Sequence, residues 1–331
     1  MSGAAPEPEV STVIVSFNTR DLLRECLHAL EGESAGLETE TIVVDNASRD
    51  GSADMVAREF PRVKLIRSEV NLGFAPANNV AFREARGRYV LLLNSDAFLG
   101  PGALTRAVRH MEEEPEVGLG GGKLVGRDGA WQPSARMFPS VLNEFLMLSG
   151  LAARFAGSRF FGRADRTWAD PDQPADVDWV PGAFSLVRRE ALEKAGYFDE
   201  NFYLYYEETD FCRRLKMAGY TVRYWPDVVV VHLGGESSRT VEGLSLSRHG
   251  SQLTLWRMRS QLLYYRKHHP RHARLIKCLE QGWHRLRAWK NELGHGPAEK
   301  EKAADSRRVV ELMEQAWEDT RGGRFAPPRP W

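Results

Sequence analysis

The chain has 331 residues, of which 42% are hydrophobic and 27% are charged, and these values are ordinary for a globular protein. This length allows one large domain with an appendage, or two modest domains. The formal net charge is zero, so the composition gives no reason to expect binding to nucleic acid. Three cysteines are too few for a disulfide framework or a zinc site, and no apolar run approaches the roughly 20 residues that span a bilayer.

The N-terminus is polar and lacks the basic-then-apolar pattern of a secretion signal. Together with the low cysteine count, this pattern predicts a protein in a reducing compartment. We expect it to be cytoplasmic, either free or peripheral on the inner face of the cell membrane.

Strands and helices alternate in the first third of the chain. The β-branched and apolar runs at 12–17, 41–44, 63–66 and 89–93 are each followed by a helical pattern or a turn-rich loop. This alternation is typical of a mostly parallel sheet covered by helices on both faces, so the predicted fold class is α/β. The glycine-rich stretch 118–122 does not match a phosphate-binding P-loop and is interpreted as a tight turn.

Three of the predicted strands end in polar clusters. The clusters are Asn18-Thr19, Asp45-Asn46 and Asn94-Ser95-Asp96. Because ligands of an open parallel sheet bind beyond the carboxyl ends of its strands, we expect the clusters to meet in one crevice. The alternative for any single cluster is that Asn, Asp and Ser only form the turn after a strand. No G-x-G-x-x-G motif follows the first strand, which argues against a nicotinamide or flavin enzyme.

Asp96 and His232 are candidate metal ligands, because each directly follows an apolar strand that would hold it rigidly. A nucleotide diphosphate bound without a glycine-rich phosphate loop needs another source of positive charge. A carboxylate-bound Mg²⁺ or Mn²⁺ would supply that charge. The alternative for His232 is a purely structural histidine.

Glu207, Glu208 and Asp210 open a predicted helix directly after an aromatic stretch. Aromatic surroundings would desolvate a carboxylate and raise its pKa toward the range of a general base. The other interpretation is that the acids only complement the helix dipole. These residues alone do not decide between the two interpretations.

Ordered blocks of the chain resemble glycosyltransferase family 2, in particular its rhamnosyltransferase-like bacterial members. The blocks are TVIVSFNTRDLLRECLHAL, IVVDNASRDGS, NLGFAPANN, YVLLLNSDAFLGPGAL, VDWVPGAFSLVRREAL, FDENFYLYYEETDFCRRLKMAGY and VVVVH. The resemblance implies a GT-A fold and a metal-dependent glycosyltransferase that inverts the anomeric carbon. It further implies transfer of a sugar, with rhamnose from a dTDP donor as the leading choice, onto an acceptor hydroxyl in cell-surface polysaccharide or glycolipid synthesis.

The resemblance also implies roles for individual residues. Glu208 matches the catalytic base, and Asp96 with His232 matches the metal site, where Asn94 replaces the first acid of the family's D-x-D motif. The nucleotide-sugar donor is expected against Phe17, Asn18, Asp45, Asn71, Asn78, Asn94 and Ser95. The acceptor or the donor diphosphate is expected near Trp179, Gly182, Ala183, Glu207 and Asp210.

The domain organisation follows the same blocks. We predict a GT-A catalytic domain over 1–242, with a nucleotide-sugar half at about 10–122 and an acceptor half at about 123–242. A basic helical extension is predicted over 243–321, and a disordered tail over 322–331.

The extension has an amphipathic character. From Arg257 to Lys290 the chain holds ten Lys or Arg and one acid, with Trp and Leu recurring at near-helical spacing. Such helices can lie in the interface of an anionic membrane, so 251–293 is a candidate for peripheral membrane contact with a lipid-linked acceptor. The alternative is that the apolar residues pack on the catalytic domain or on a second copy in a homodimer, and that the charges face solvent.

Two rival functions belong to other classes. One is a catalytically silent nucleotide-sugar-binding protein that acts as an assembly partner, against which the intact Asp96, Glu208 and His232 argue. The other is a nucleotidyltransferase, which would need a loop rich in Gly and Lys or Arg after the first strand. This chain has FNTRDLL there.

Overall fold

The structure is a computed structural model that describes residues 7–234, 251–294 and 296–328. Its strands are β1 (Val10–Ser16), β2 (Thr39–Asp45), β3 (Lys64–Arg67), β4 (Tyr89–Leu93), β5 (Ala97–Leu99), β6 (Val117–Val125), β7 (Trp131–Gln132), β8 (Ala175–Val177), β9 (Phe184–Arg188) and β10 (Thr221–His232). The first eight helices are α1 (Arg20–Glu33), α2 (Ser52–Glu59), α3 (Phe74–Glu84), α4 (Ala103–Glu113), α5 (Val141–Leu148), α6 (Leu151–Arg154), α7 (Arg189–Ala195) and α8 (Glu207–Met217). Three more follow: α9 (Ser251–His268), α10 (His272–Glu292) and α11 (Pro297–Asp319).

The strands form one sheet in the order β3-β2-β1-β4-β9-β6-β10-β5, with β7 beside β6 and β8 beside β10. The first four strands pair in parallel, which confirms the predicted α/β class. The remainder is mixed, since β9 is antiparallel to both β4 and β6, and β5 is antiparallel to β10. β5 and β9 do not enter the sheet through the crossover helices that parallel pairing needs, so the sheet is less parallel than the sequence indicates.

Helices cover both faces of this sheet. Leu23, Leu27 and Leu30 of α1 pack on one face together with α2 and α4. On the other face α3, α7 and α8 contribute apolar side chains such as Phe82 and Leu215. The two buried layers hold the strand ends, and the polar loops that follow them, in fixed positions.

The glycine-rich stretch 118–122 lies inside β6, so the prediction of a tight turn there is wrong. The glycines are needed because of close packing: a Cβ at Gly120 would overlap Trp225, and a Cβ at Gly121 would overlap Val180. Glycine in a strand interior commonly marks such an approach of a neighbouring group.

The three C-terminal helices confirm the predicted helical extension. They bury their own apolar clusters, in which α9 packs both on the segment around Phe202 and on α11. The predicted boundary between 242 and 243 lies outside the described residues. In the described part of the chain, no helix is both long enough and apolar enough to cross a bilayer.

Residues 322–328 were predicted to be disordered, but the structure gives them defined contacts. The Gly323 N–H donates to Thr320 Oγ1 over 3.0 Å, and both Gly322 and Gly323 have positive φ. The turn packs on Leu262 of α9, which leaves no room for a side chain at Gly323. Residues 329–331 of the predicted tail lie outside the described residues.

Candidate active site

The polar ends of β1, β2 and β4 meet in one crevice. Between β1 and β2, the Arg49 N–H donates to Asn18 Oδ1 over 2.7 Å, and the Asn18 N–H donates to Ser48 Oγ over 3.0 Å. Toward β4, Thr19 Oγ1 donates to Ser95 Oγ over 2.9 Å. The three clusters are far apart in the chain, and they come together because parallel strands end at the same edge of the sheet.

Asp45 is buried at the end of β2 and has an unused acceptor atom. Its Oδ2 accepts the Ser48 N–H over 3.1 Å, whereas its Oδ1 has no hydrogen-bond partner in the described part of the chain. Burial raises the pKa of Asp45, although the hydrogen bonds from Ser48 oppose the change. A buried acceptor without a partner is costly unless a ligand supplies a donor, such as an N–H of a nucleotide base. Phe17 lies half-buried directly after the neighbouring strand β1.

Asp96 and His232 lie side by side at the far end of the crevice. The distance from Asp96 Oδ1 to His232 Nε2 is 3.6 Å. The backbone fixes both residues, because β5 pairs with β10 so that Ala97 lies opposite His232, and the Leu233 N–H donates to the Asp96 carbonyl over 3.1 Å. Burial lowers the pKa of His232, although the charge of Asp96 opposes the change, so the neutral imidazole is favoured.

Gln132 of β7 orients the imidazole of His232. Its Nε2 donates to the His232 carbonyl over 2.8 Å, which turns its Oε1 toward His232 Nδ1 at 3.1 Å. Nδ1 therefore carries the proton, and Nε2 remains as a buried lone pair without a hydrogen-bond partner. A lone pair of this kind beside the Asp96 carboxylate suits a divalent cation. No cluster of three His, Cys, Asp or Glu occurs among the residues described.

Glu208 is connected to this centre through one stretch of backbone. Its Oε1 accepts the Gly182 N–H over 3.2 Å, and a Cβ at Gly182 would lie 3.3 Å from the Glu208 Cγ. The carbonyl of the next residue, Ala183, accepts the Asn94 N–H over 3.2 Å. Asn94 is two residues before Asp96. The dipeptide Gly182-Ala183 therefore contacts the candidate base on one side and the turn that carries the candidate metal ligand on the other. Glu208 is only half-buried, so an acceptor hydroxyl can approach its carboxylate.

The backbone before α8 is strained, and Glu207 follows it. Tyr205 and Tyr206 have φ values of +69° and +70°, in the left-handed region that bulky side chains rarely adopt. Burial raises the pKa of Glu207 well above its usual range, with the charge of Glu208 as a second cause. Glu207 Oε2 has no hydrogen-bond partner within the described ranges. Glu207 therefore tends to keep its proton.

Asp210 has the opposite environment. Its Oδ1 lies 2.7 Å from His268 Nε2 and 2.8 Å from Lys267 Nζ, and its Oδ2 accepts from Arg214 Nε over 2.8 Å. Burial opposes the charged form, but the hydrogen bond from His268 and the charges of Arg214 and Lys267 lower the pKa of Asp210 to about 2. Asp210 is therefore too weak a base, and too enclosed, to remove the proton of an acceptor hydroxyl. Of the three acids, Glu208 has the geometry of a general base.

Comparison with known proteins assigns the chain to a family. The family model for glycosyl transferase family 2 matches residues 11–196, which are 186 of the 331 residues. The chain belongs to glycosyltransferase family 2. It is similar to the N-acetylglucosaminyl-diphospho-decaprenol L-rhamnosyltransferase of Mycobacterium tuberculosis, with 29% identity over 224 residues that cover 63% of this chain and 71% of that protein. It is also similar to the dTDP-rhamnosyl transferase RfbF of Shigella flexneri, with 23% identity over 264 residues that cover 78% of this chain and 81% of that protein.

The fold of this glycosyltransferase is also found in solved structures. The mannosyltransferase PcManGT from Pyrobaculum calidifontis, solved in complex with GDP-Man and Mn²⁺, matches with a TM-score of 0.50 and 19% identity. The match covers 96% of this chain and 76% of the mannosyltransferase. This likeness confirms the GT-A fold.

In this glycosyltransferase Asn94 stands where the D-x-D motif has its first acid. The structure shows the hydrogen bonds that the backbone of Asn94 makes. Its N–H donates to the Ala183 carbonyl, and its own carbonyl accepts the Ala97 N–H over 3.1 Å. Both backbone groups therefore hold the turn that presents Asp96. The motif retains one carboxylate, and His232 from β10 stands beside it.

Two of the residues predicted to contact the nucleotide-sugar donor, Asn71 and Asn78, make hydrogen bonds to other parts of the protein near the crevice. Asn71 Oδ1 accepts from Asn46 Nδ2 over 2.9 Å and from the Tyr203 hydroxyl over 3.3 Å. Asn78 is buried in α3, where its Nδ2 donates to the Phe74 carbonyl one turn earlier over 2.9 Å. Asn71 thus ties the crevice to the segment before α8, and Asn78 serves its own helix.

The remaining predicted residue, Trp179, contacts the segment after β7. Its Nε1 donates to the Met137 carbonyl over 3.0 Å, and the Arg136 guanidinium lies over its ring at 5.1 Å. Sequence reasoning missed Gln132 and Tyr203. Tyr203 lies in the aromatic stretch before α8, which is a visible signal, but Gln132 carries none, because it is 100 residues from its partner His232.

Proposed function

We propose that this glycosyltransferase moves rhamnose from dTDP-rhamnose onto a hydroxyl of a glycan or lipid-linked acceptor, by a single in-line displacement that inverts the anomeric carbon. One observation carries the proposal: Glu208 is held by the Gly182 N–H, one backbone connection away from Asp96 and His232. A base beside the acceptor and a centre that stabilises the leaving diphosphate are what such a displacement needs.

Glu208 performs the proton transfer in this proposal. Its carboxylate takes the proton of the acceptor hydroxyl as that oxygen bonds to the anomeric carbon, and the bond from that carbon to the diphosphate breaks. The Gly182 N–H donates to Oε1 and so fixes the position of the carboxylate. Burial raises the pKa of Glu207, which favours its uncharged form and limits the repulsion between Glu207 and Glu208.

Asp96 and His232 would hold the divalent cation, proposed as Mg²⁺ or Mn²⁺. When bound, the cation acts as a Lewis acid toward the diphosphate. Gln132 keeps the Nε2 lone pair of His232 available, because it holds the proton on Nδ1. Two protein ligands suit a site that the oxygens of the donor complete, since hard cations readily share phosphate oxygens.

Asp45 and the two relatives support the choice of donor. The unpaired Asp45 Oδ1 offers an acceptor to the N3–H of thymine, and Asn18 lies beside it to orient the ribose. Uracil presents the same N–H, so the sugar and the base are proposed from the relatives, whose names specify L-rhamnose and dTDP-rhamnose. The name of the mycobacterial relative specifies a lipid-linked acceptor. An acceptor of that class would place this enzyme on the cytoplasmic face of the cell membrane.

A thermal-shift panel tests the donor. The protein is heated with dTDP-rhamnose, UDP-glucose or GDP-mannose, each with and without Mg²⁺ or Mn²⁺. We expect dTDP-rhamnose with metal to stabilise the fold most, by about 2.7 kcal/mol at ~100 times its Kd. Stabilisation by a uridine or guanosine sugar alone rejects the donor. A donor-hydrolysis assay separates the enzyme from a silent assembly partner, which would bind dTDP-rhamnose and leave it intact.

A further inference from the structure

The outer face of α10 carries an apolar stripe. Leu275, Leu286 and Trp289 recur at helical spacing on one side of α10, and Leu293 follows at its C-cap. Their exposed fractions are 52%, 55%, 59% and 61% respectively. A row of four large apolar side chains, each more than half exposed, is the kind of patch that marks an interaction surface.

The rest of the amphipathic segment does not share this exposure. Trp256, Leu262 and Tyr264 of α9, and Ile276 on the inner side of α10, are buried. None of the large apolar side chains described in α9 is exposed. The sequence indicated 251–293 as a whole, and the structure narrows the candidate contact to the outer face of α10.

The apolar surface continues onto α5, which lies outside the segment that the sequence indicated. Phe145 packs edge-on against Trp283 of α10, with ring centroids 6.5 Å apart. Phe145 is itself partly exposed, as are Leu142 and Met147 of the same helix. The surface therefore spans two helices that are in contact.

Cations border this surface. Arg274, Arg285 and Lys290 are exposed on the flanks of the α10 stripe, and none of them forms an ion pair within the described part of the chain. The exposed acid of α10, Glu292, is already paired with Arg307 of α11. The surface is therefore apolar at its centre and positive at its edges.

We propose that the outer face of α10 and the adjoining face of α5 form a docking surface for an anionic lipid bilayer. The apolar side chains enter the boundary between headgroups and acyl chains, and the flanking cations meet lipid phosphates. A second copy of the chain would also cover the apolar stripe. However, a two-fold contact would bring two sets of the same cations together, and like charges repel each other.

This inference rests on the proposed function, because docking serves an enzyme whose acceptor is lipid-linked. α5 connects the surface to the active site: Glu144 on its inner side accepts a hydrogen bond from the Tyr206 hydroxyl over 3.3 Å. Tyr206 precedes Glu208 by two residues.

Vesicle co-sedimentation of the full chain, without substrate, tests the proposal. Vesicles are made of phosphatidylcholine alone or mixed with phosphatidylglycerol. We expect the wild type to pellet with the mixed vesicles at low salt and to be released at high salt. Leu286→Ser with Trp289→Ser and Leu293→Ser should weaken partitioning at least about tenfold. Replacing Arg274, Arg285 and Lys290 by Gln should weaken it about fivefold for each charge.

Matched controls remove similar groups elsewhere. The control for the apolar variant is Met217→Ser, which deletes a side chain that is 77% exposed at the end of α8. The control for the charge variant replaces Lys300, Lys302 and Arg308 of α11 by Gln and so removes three charges. Both controls should pellet like the wild type. Every replaced side chain is exposed, so all variants should keep the wild-type Tm.

Three results would overturn the docking surface: a wild type that stays in the supernatant, equal pelleting of the apolar variant, or a wild-type dimer that this variant converts to monomer. Hydrolysis of dTDP-rhamnose is measured on the same proteins and should not change. If the wild type does not hydrolyse dTDP-rhamnose, the proposed function is rejected, but the vesicle result remains valid.

Discussion

Three carboxylates stand within four positions at the start of α8, and each has different chemistry because of what touches it. Glu207 is buried with an unpaired oxygen, and Asp210 is enclosed by His268, Lys267 and Arg214. Glu208 is half-buried, and the Gly182 N–H donates to its Oε1. All three follow the same aromatic stretch, so residue order alone could not separate them. Two of the partners of Asp210, Lys267 and His268, come from α9, which is more than fifty residues away.

Glu208→Gln tests the proposed role of Glu208 as the catalytic base. The amide has the same shape but cannot accept a proton, so transfer should fall about 10²–10⁴-fold. Stabilisation by donor and metal in a thermal-shift assay should not change. Glu193→Gln, on the exposed surface of α7, is the matched control and should transfer normally. Near-normal turnover of Glu208→Gln would refute the role of Glu208.

Gln132→Ala tests the proposed metal centre without replacing either proposed ligand. Loss of the hydrogen bond to His232 Nδ1 frees the imidazole to change tautomer, so the metal concentration needed for half-maximal transfer should rise about 10–100-fold. EDTA should abolish transfer, and excess Mn²⁺ should restore it in both proteins. Gln173→Ala, on an exposed loop, is the control. Full activity after exhaustive chelation would contradict the metal centre.

At the scale of elements, α9 supports the strained segment that precedes α8. Ser260 Oγ donates to the Leu204 carbonyl over 2.8 Å, and the ring of Trp256 lies 4.4 Å from that of Tyr203. His268 adds its contact with Asp210 at the end of α9. Unfavourable φ values persist only where surrounding structure over-determines them, and α9 supplies that structure here.

The stability that Asp210 provides should depend on pH. Its pKa in the fold is about 2, below the reference value of 3.8 for the unfolded chain. Because the folded pKa is depressed, the ionised carboxylate stabilises the fold above pH ~4, and this stability is lost as the pH falls toward about 2. The shift corresponds to about 2 kcal/mol in the free energy of unfolding.

Denaturant unfolding of the wild type and Asp210→Asn checks this expectation. At neutral pH the variant should be at least about 2 kcal/mol less stable, and the difference should shrink as the pH falls from about 4 to about 2. Asp54→Asn, which removes an exposed carboxylate paired with Arg67, should show no such trend. A difference that stays constant over this range would show that Asp210 stabilises the fold without its charge.

At the scale of the whole molecule, the C-terminal helices behave as part of the catalytic domain. They share an apolar cluster with Phe202, Tyr206 and Val141, which lie within the predicted catalytic domain. Removal of 251–331 would expose this cluster, so the shortened chain should aggregate and lose cooperative unfolding. Leu262→Ala is the milder test and should cost about 2–5 kcal/mol, whereas Leu293→Ser on the exposed stripe should cost little. A shortened chain with wild-type Tm and transfer would contradict this dependence.

Local patterns were sufficient for much of the fold. The alternation that contains β1 to β4 and the helices between them could be predicted, because each apolar run and its period lie within about fifteen residues. The strand-end clusters around Asn18, Asp45 and Asp96 could be predicted to meet, since parallel topology determines which ends share an edge. The family resemblance indicated Glu208 and His232 by their motifs, and their roles stay predictions.

Other features depend on contacts that no local pattern contains. The glycines of β6 have the sequence pattern of a turn, and only the packing of Trp225 on Gly120 explains them. Gln132 contacts His232 only because the sheet brings the two residues together. The same holds for the two helices α9 and α10, where Trp256 and Leu262 of α9 are buried but Leu286 and Trp289 of α10 are exposed. The sequence by itself determined which side chains are present and the period at which they recur. Only the tertiary structure decided which of them are desolvated and which partners they have, because burial and pairing are set by neighbours that lie far away along the chain.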